Sequence, residues 1–357
     1  VDHRPHRAAA DGQLQLEDPR GVAQRQDDAL PQRQREPARR RRGGRIGLMP
    51  RYDDLLADAR SDKPILIDGG TGSECIRRGV PHSEHGWSGA AALSHPEIVG
   101  SIHTDYLKLG ARVIVANTFA TGANILRDVG APERFEEVNR RAVEIALDAR
   151  AAAGPAADHV VVGAGISNWS FSGDRPDLVT LRDDTAAQAA IMRKAGAELL
   201  ILEMMVDIPR MKATLEGSSG AGLPIWVGFS LGPEEGCEAD EIGDPIELRE
   251  GGLLRDAVSI AADYAAVDAM VIMHSDVRVA ERGVQGLQAV WNGPVGVWAH
   301  AARMVDGKII HDGAISPGEY AAHVPAWRDA GATLIGGCCG IGPSHIAELA
   351  PLLAADS

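Results

Sequence analysis

From residue 63 onward, short apolar runs rich in β-branched residues alternate with longer amphipathic stretches. The runs PILID (64–68), RVIVAN (112–117), HVVVGA (159–164), ELLILE (198–203), PIWVGFS (224–230), AMVIMH (269–274), PVGVWAH (294–300) and ATLIGG (332–337) read as strands. Most are apolar throughout rather than alternating, as expected of parallel strands covered on both faces. The spacers PEIVGSIHTDYLKLG (96–110) and DDTAAQAAIMRKAG (183–196) carry helical periodicity. KLGAR, KAGAE and DAGAT each place a glycine at a helix C-cap just before the next strand. Strand and helix in strict alternation predict an α/β chain folded as one (β/α)8 TIM barrel over residues 49–357. An open doubly wound sheet is the weaker alternative, because DGGTGSE after the first run lacks the GxGxxG spacing.

A barrel places its active site at the C-terminal ends of its strands. Read in order, those ends carry Asp68, Gly69 and Gly70; Asn117 and Thr118; Gly165; Glu203; Ser230; His274; His300; and Gly337, Cys338 and Cys339. This ring is polar and rich in metal-ligating types. Two of the chain's four cysteines, Cys338 and Cys339, are neighbours within the turn GGCCG. Adjacent cysteines make a strained disulfide, so a shared metal ion or a redox role fits them better. The flanking glycines let both side chains reach one ion.

Composition narrows the picture. Scarce cysteine argues against a disulfide scaffold and fits a reducing, cytoplasmic setting. No apolar run reaches the roughly 18 residues of a membrane helix, and a formal net charge of -14 argues against a nucleic-acid partner. The first 48 residues have no lysine or aromatic residue, many Arg, Gln and Pro, and no hydrophobic period. They read as a disordered or non-native leader. The expectation is that the native chain begins at Met49 and that MPRYDDLLADAR forms its first helix.

The stretches LIDGGTGSECIRRGV, HPEIVGSIHTDYLKLGARVIVANTF, AGAELLILEMM and AGATLIGGCCGIGPSHI together resemble the homocysteine S-methyltransferase family, in order and spacing, over about residues 64–349. The resemblance implies a barrel whose zinc ion binds the two cysteines of GGCC and a third at the end of the sixth strand, with the homocysteine sulfur as a further ligand. The chemistry is physically reasonable. A free thiol has a pKa of about 8.5 and yields little thiolate at neutral pH, whereas a coordinating metal deprotonates it. The methyl donor then needs a good leaving group, such as a cationic sulfonium or ammonium. The resemblance also matches Asp68, Gly69, Thr118 and Glu203 to homocysteine contacts. Glu203 and Asp68 would meet the amine, the Gly69 and Gly70 amides the carboxylate, and Thr118 the amino-acid end.

Two positions depart from the family pattern. Met273 and His274 stand where the family has Asn-Cys, so the expected metal set is His274, Cys338 and Cys339. A Cys2His set is an accepted zinc arrangement, with one thiolate charge fewer. Trp298, Ala299 and His300 replace a Tyr-Pro-Asn-like sequence, leaving His300 as a candidate contact to substrate or donor. Cys237 is a less favoured third sulfur, and Cys75 reads as a bystander. His345 is expected to face solvent. Trp87, Trp169, Phe171 and Trp298 are candidate walls, although sparse aromatics argue against an aromatic cage. The donor stays open among S-methylmethionine, S-adenosylmethionine and betaine. A corrinoid donor would need a separate protein. Homo-oligomerisation also stays open. Three other functions fit the same residues: a metal-dependent barrel hydrolase, a non-catalytic amino-acid-binding barrel that has lost zinc, and a sensor using the vicinal thiols.

Overall fold

The structure is a computed structural model and describes residues 49–232, 243–301, 303–305, 308–310 and 313–355. The expected leader and Cys237 lie outside the described residues. The strands are β1 (Ile65–Leu66), β2 (Val113–Ala116), β3 (Val161–Ser167), β4 (Leu199–Met205), β5 (Ile225–Phe229), β6 (Val267–Asp276), β7 (Val295–His300) and β8 (Ala332–Ile335). Each apolar run foreseen from the sequence overlaps one of them, with β3, β4 and β6 running past the foreseen bounds. They pair in parallel in the order β1-β8-β7-β6-β5-β4-β3-β2. A parallel bridge between Ile67 and Val113 joins the two ends. The Asp68 N–H donates to the Val113 carbonyl there at 3.0 Å. The barrel of the TIM type is thereby closed, with helices outside it. A short antiparallel hairpin, Arg303–Val305 with Lys308–Ile310, follows β7.

Local signals explain the helix boundaries. The helix expected at 183–196 starts earlier and spans Leu178–Ala195. Its N-cap is Asp177, whose side chain accepts from the Val179 and Thr180 N–H groups. Gly196 ends it in the left-handed conformation at φ 105°. The other two glycines read as C-caps, Gly110 and Gly331, also have positive φ.

Two apolar clusters form the core. One lies between strands and helices and the other fills the lumen. Pleating divides each strand between them. In β4, Leu200 and Leu202 face the helices while Leu199 and Ile201 face the lumen. The helix Pro50–Arg60 contributes Tyr52, Leu55, Leu56 and Ala59 to the lumen cluster. It closes the end of the barrel opposite the strand C-termini. Tyr52 anchors it, because its hydroxyl accepts from Trp226 Nε1 at 3.0 Å and lies 3.2 Å from Asp268 Oδ2. No helix among the described residues is long and apolar enough to cross a membrane.

Two outcomes are expected. Tyr52→Phe leaves the buried Trp226 N–H without its acceptor and should lower unfolding free energy by about 1–3 kcal/mol, as urea unfolding would measure. His103 is wholly buried, neither ring nitrogen has a hydrogen-bond partner among the described residues, and burial pushes its pKa down to about 4. The unfolded chain therefore takes up this proton at higher pH than the native one. Stability should be unaffected by His103 above pH ~6.5 and should fall by roughly 3 kcal/mol as pH drops to about 4. His103→Leu should flatten that part of a stability-versus-pH curve.

Candidate metal centre and ligand cavity

The GGCCG turn is held from three sides. Gly336 N–H donates to the Val297 carbonyl at 3.0 Å and Cys338 N–H to the Ala299 carbonyl at 2.8 Å, both on β7. Gly337 N–H donates to the Asp68 carbonyl at 3.2 Å, at the end of β1. Gly340 N–H donates to Ser73 Oγ at 3.2 Å, on the helix Thr71–Arg77. Gly340 sits at φ 78°, where a side chain would be strained. The turn therefore presents two consecutive thiols from a fixed backbone.

His274 comes to the same place from β6. Its Nδ1 lies 3.6 Å from Cys338 Sγ and 3.6 Å from Cys339 Sγ, and the two sulfurs are 3.9 Å apart. These three residues are the group of His, Cys, Asp and Glu, among the described residues, that could hold a metal ion. The neighbouring Cys339 thiol and then His274 hold the Cys338 thiol well below the ordinary thiol range, against the opposing effect of burial. A thiolate is thus favoured where a soft metal would need one. Cys75, by contrast, is buried in the outer cluster, and burial pushes its thiol up to about 12.

Two carboxyls stand beside this centre. Glu203 ends the lumen face of β4, is buried, and among the described residues has no Lys or Arg partner. Burial, and then the nearby Cys338 and Asp68, push its pKa well above the usual carboxylate range. Gly165 on β3 leaves room for it: a Cβ there would lie 1.7 Å from Glu203 Oε1. Asp68 is fully buried behind Gly69 and Gly70, and burial raises its pKa also. Its Oδ2 accepts from the Val115 N–H at 2.7 Å, while Oδ1 has no hydrogen-bond partner among the described residues.

The cavity above these groups has a volume of about 470 Å³. Gly69, Thr118, Glu203, His274, Cys338 and Cys339 line it, whereas Asp68 and His300 stand behind its wall. His300 packs edge-to-face on His274, with ring centroids 4.4 Å apart. The Thr118 hydroxyl joins β2 to β3, donating to the Gly165 carbonyl at 2.8 Å and accepting from its N–H at 2.9 Å. Trp298 also lines the cavity, and its indole Nε1 has no hydrogen-bond partner among the described residues.

The wall residues expected from the sequence, Trp87, Trp169, Phe171 and Trp298, all line the cavity, and sequence reasoning missed Phe119, which joins them. Trp87 and Phe171 lie parallel with centroids 6.2 Å apart, and Phe119 meets Phe171 edge-on at 6.4 Å. The expectation of no aromatic cage, drawn from composition, is corrected: loops after β1, β2 and β3 bring scarce aromatics together. Phe119 could have been found from its place after Asn117 and Thr118. Arg249 lines the cavity too, with no motif to mark it. His345 is likewise corrected. It is buried, lies edge-on to Tyr320, and has Nε2 3.2 Å from the Ile315 carbonyl. Its helix, Pro343–Ala355, turns that face inward. Among the described residues, four non-glycine residues have positive φ, and three of them, Trp87, Met204 and His274, line the cavity. Each costs of order 1–3 kcal/mol, a cost that clusters where geometry serves function.

Comparison with known proteins follows this geometry. The family described as Homocysteine S-methyltransferase matches residues 65–353. Homocysteine S-methyltransferase 2 of Zea mays is 24% identical, covering 79% of this chain and 87% of its own. Homocysteine S-methyltransferase of Escherichia coli is 26% identical, covering 80% and 94%. Selenocysteine Se-methyltransferase of Brassica oleracea var. italica is 24% identical, covering 79% and 86%. The crystal structure of a homocysteine methyltransferase from Escherichia coli, in its metallated form, shares the fold with a TM-score of 0.69. It is 23% identical over 84% of this chain and 99% of that one.

In metal-free protein at pH 7, iodoacetamide should modify Cys338 well before Cys75, as peptide mass mapping over a time course would show. Equal rates would contradict the thiolate character of Cys338.

Proposed function

The chain belongs to the homocysteine S-methyltransferase family, and we propose that it moves a methyl group from a sulfonium or ammonium donor to the sulfur of homocysteine, giving methionine, with zinc held by His274, Cys338 and Cys339. The observation that carries this reading is the ligand triangle. Zinc with bonds of about 2.3 Å to sulfur and about 2.0 Å to nitrogen has tetrahedral edges of about 3.8 Å (S···S) and about 3.5 Å (S···N). The corresponding separations here are 3.9, 3.6 and 3.6 Å. Three protein ligands leave one position for a substrate thiol.

A bound zinc ion supplies the positive charge that lets a coordinating thiol lose its proton near neutral pH. The remaining work falls to the cavity. Glu203, buried and with no Lys or Arg partner among the described residues, receives the ammonium group of the amino acid, since a charged carboxylate there is costly until a cation meets it. Asp68 sits behind the Gly69–Gly70 turn; the Gly70 N–H donates to the Ile341 carbonyl at 2.9 Å, so of the two amides expected to meet the substrate carboxylate the role falls to that of Gly69. Thr118 shapes this end by fixing the β2 and β3 ends relative to each other. His300 backs the His274 ring and keeps it from turning.

Across the cavity, the rings of Trp87, Phe119 and Phe171 suit the methyl-bearing cation of the donor, while Arg175 lies over the Trp169 ring, 5.4 Å from its centroid. Aromatic faces attract such cations by about 0.5–2 kcal/mol each. The attraction weakens as the donor loses its charge on methyl transfer, which favours product release. S-methylmethionine, S-adenosylmethionine and betaine all carry such a centre. The cavity volume suits small ligands.

Protein purified without chelator should carry about one zinc per chain by elemental analysis, and Cys338→Ala should carry none. The loaded enzyme should convert homocysteine to methionine with at least one of the three donors. A wild-type protein that takes up no zinc even on reconstitution would overturn the reading.

A further inference from the structure

The direction of the His274 side chain is not what strand geometry alone dictates. In β6, Ala269, Val271 and Met273 belong to the lumen cluster, whereas Met270 and Ile272 belong to the cluster beneath the helices. Strict alternation would send His274 outward, away from the cysteines. Instead the pairing of β6 with β7 shifts between Met273 and Asp276, and His274 adopts φ 44°. This irregularity re-aims the imidazole into the cavity. Histidine does not hold a left-handed conformation without support.

The support is a set of hydrogen bonds to two carbonyls. The His274 carbonyl accepts from Arg249 Nη2 at 2.8 Å and from Ser230 Oγ at 3.1 Å. The Met273 carbonyl accepts from Ser230 Oγ at 3.0 Å and from Ser275 Oγ at 3.0 Å. Arg249 is itself fixed by its backbone, its N–H donating to the Ser230 carbonyl at 3.0 Å. The next N–H, of Glu250, donates to the Val206 carbonyl at 2.9 Å. The Glu250 side chain forms a two-pronged pair with Arg175. The guanidinium thus arrives on a braced segment, and a charged donor makes the stronger bond to a carbonyl.

We propose that Arg249 is a positioning residue: by binding the His274 carbonyl it holds the reversed backbone that turns this imidazole toward Cys338 and Cys339. It acts through His274 and not on the reacting atoms. Its value to catalysis rests on the metal reading above, while its geometric role does not.

The test compares wild type, Arg249→Met, Arg249→Lys and Ser230→Ala, each checked for cooperative thermal unfolding. Ser230→Ala removes only a hydroxyl and serves if Arg249→Met fails to fold. Crystal structures of the metal-free proteins give the His274 conformation, and competition with a chromophoric chelator gives zinc affinity. In Arg249→Met the imidazole should leave the two sulfurs, and zinc affinity should fall by about 10–100-fold. Arg249→Lys should recover part of the loss. In a His274→Ala background Arg249→Met should cost nothing further, because both act on one ligand. An unmoved His274 in Arg249→Met, or in Ser230→Ala should Arg249→Met not fold, or losses that add in the double variant, overturns the proposal. Wild type that binds no zinc, with His274 still displaced in Arg249→Met, sinks the metal reading and upholds the positioning role.

Discussion

The cavity depends on one constraint: every barrel strand runs in the same direction, so all their C-terminal ends open on one face. Residues as distant as Asp68 and Cys339 meet there because β1 pairs with β8 and closes the ring. Connectivity alone would leave Glu203, His274 and the cysteine pair unrelated. The opposite mouth is filled by the helix Pro50–Arg60, whose Tyr52 bonds to Trp226 inside the lumen. One end of the barrel is thus packed for stability, and the other is free to hold polar groups.

Those polar groups set an electrostatic demand. Asp68 and Glu203 are both buried near Cys338; burial first, and then Cys338, raise the proton affinity of each, and Asp68 adds to that of Glu203. Bringing like charges together in a poorly solvated site is unfavourable unless cations join them. The proposed ion and the ammonium group of an amino acid would meet this demand from opposite sides. With His274 in the proposed ligand set, in place of the third cysteine that the resemblance implies, that demand would be lower by one charge. The aromatic wall extends the same preference for positive charge with no formal charge of its own.

Much of the architecture was legible in the residues. The strands stood out because both of their faces are covered, which forces continuous apolar runs. The GGCCG turn stood out because glycine and adjacent cysteines are rarely combined for packing reasons. His274, Cys338 and Cys339 could be named as a group, and the structure does bring them within 4.8 Å of one another. The aromatic wall was legible in part: Trp87, Trp169, Phe171 and Trp298 could be named from their places on the active face, whereas Phe119, and the way three separate loops bring these rings together, could not, because composition counts side chains without locating them. His345 was misjudged because helix periodicity does not say which neighbour, here Tyr320, will cover a given face.

What the sequence determined by itself is therefore the order of elements and the chemistry at their ends. Local rules govern both: apolar periodicity, helix caps and the side chains available at each strand terminus. Tertiary structure alone decided which way those side chains point. Alternation along β6 would have turned His274 outward, and only a register shift against β7, held by Arg249 and Ser230 from elsewhere in the chain, turns it in. Hydrogen bonds between residues far apart in sequence leave no local periodic trace, so this step could be read only from the folded protein.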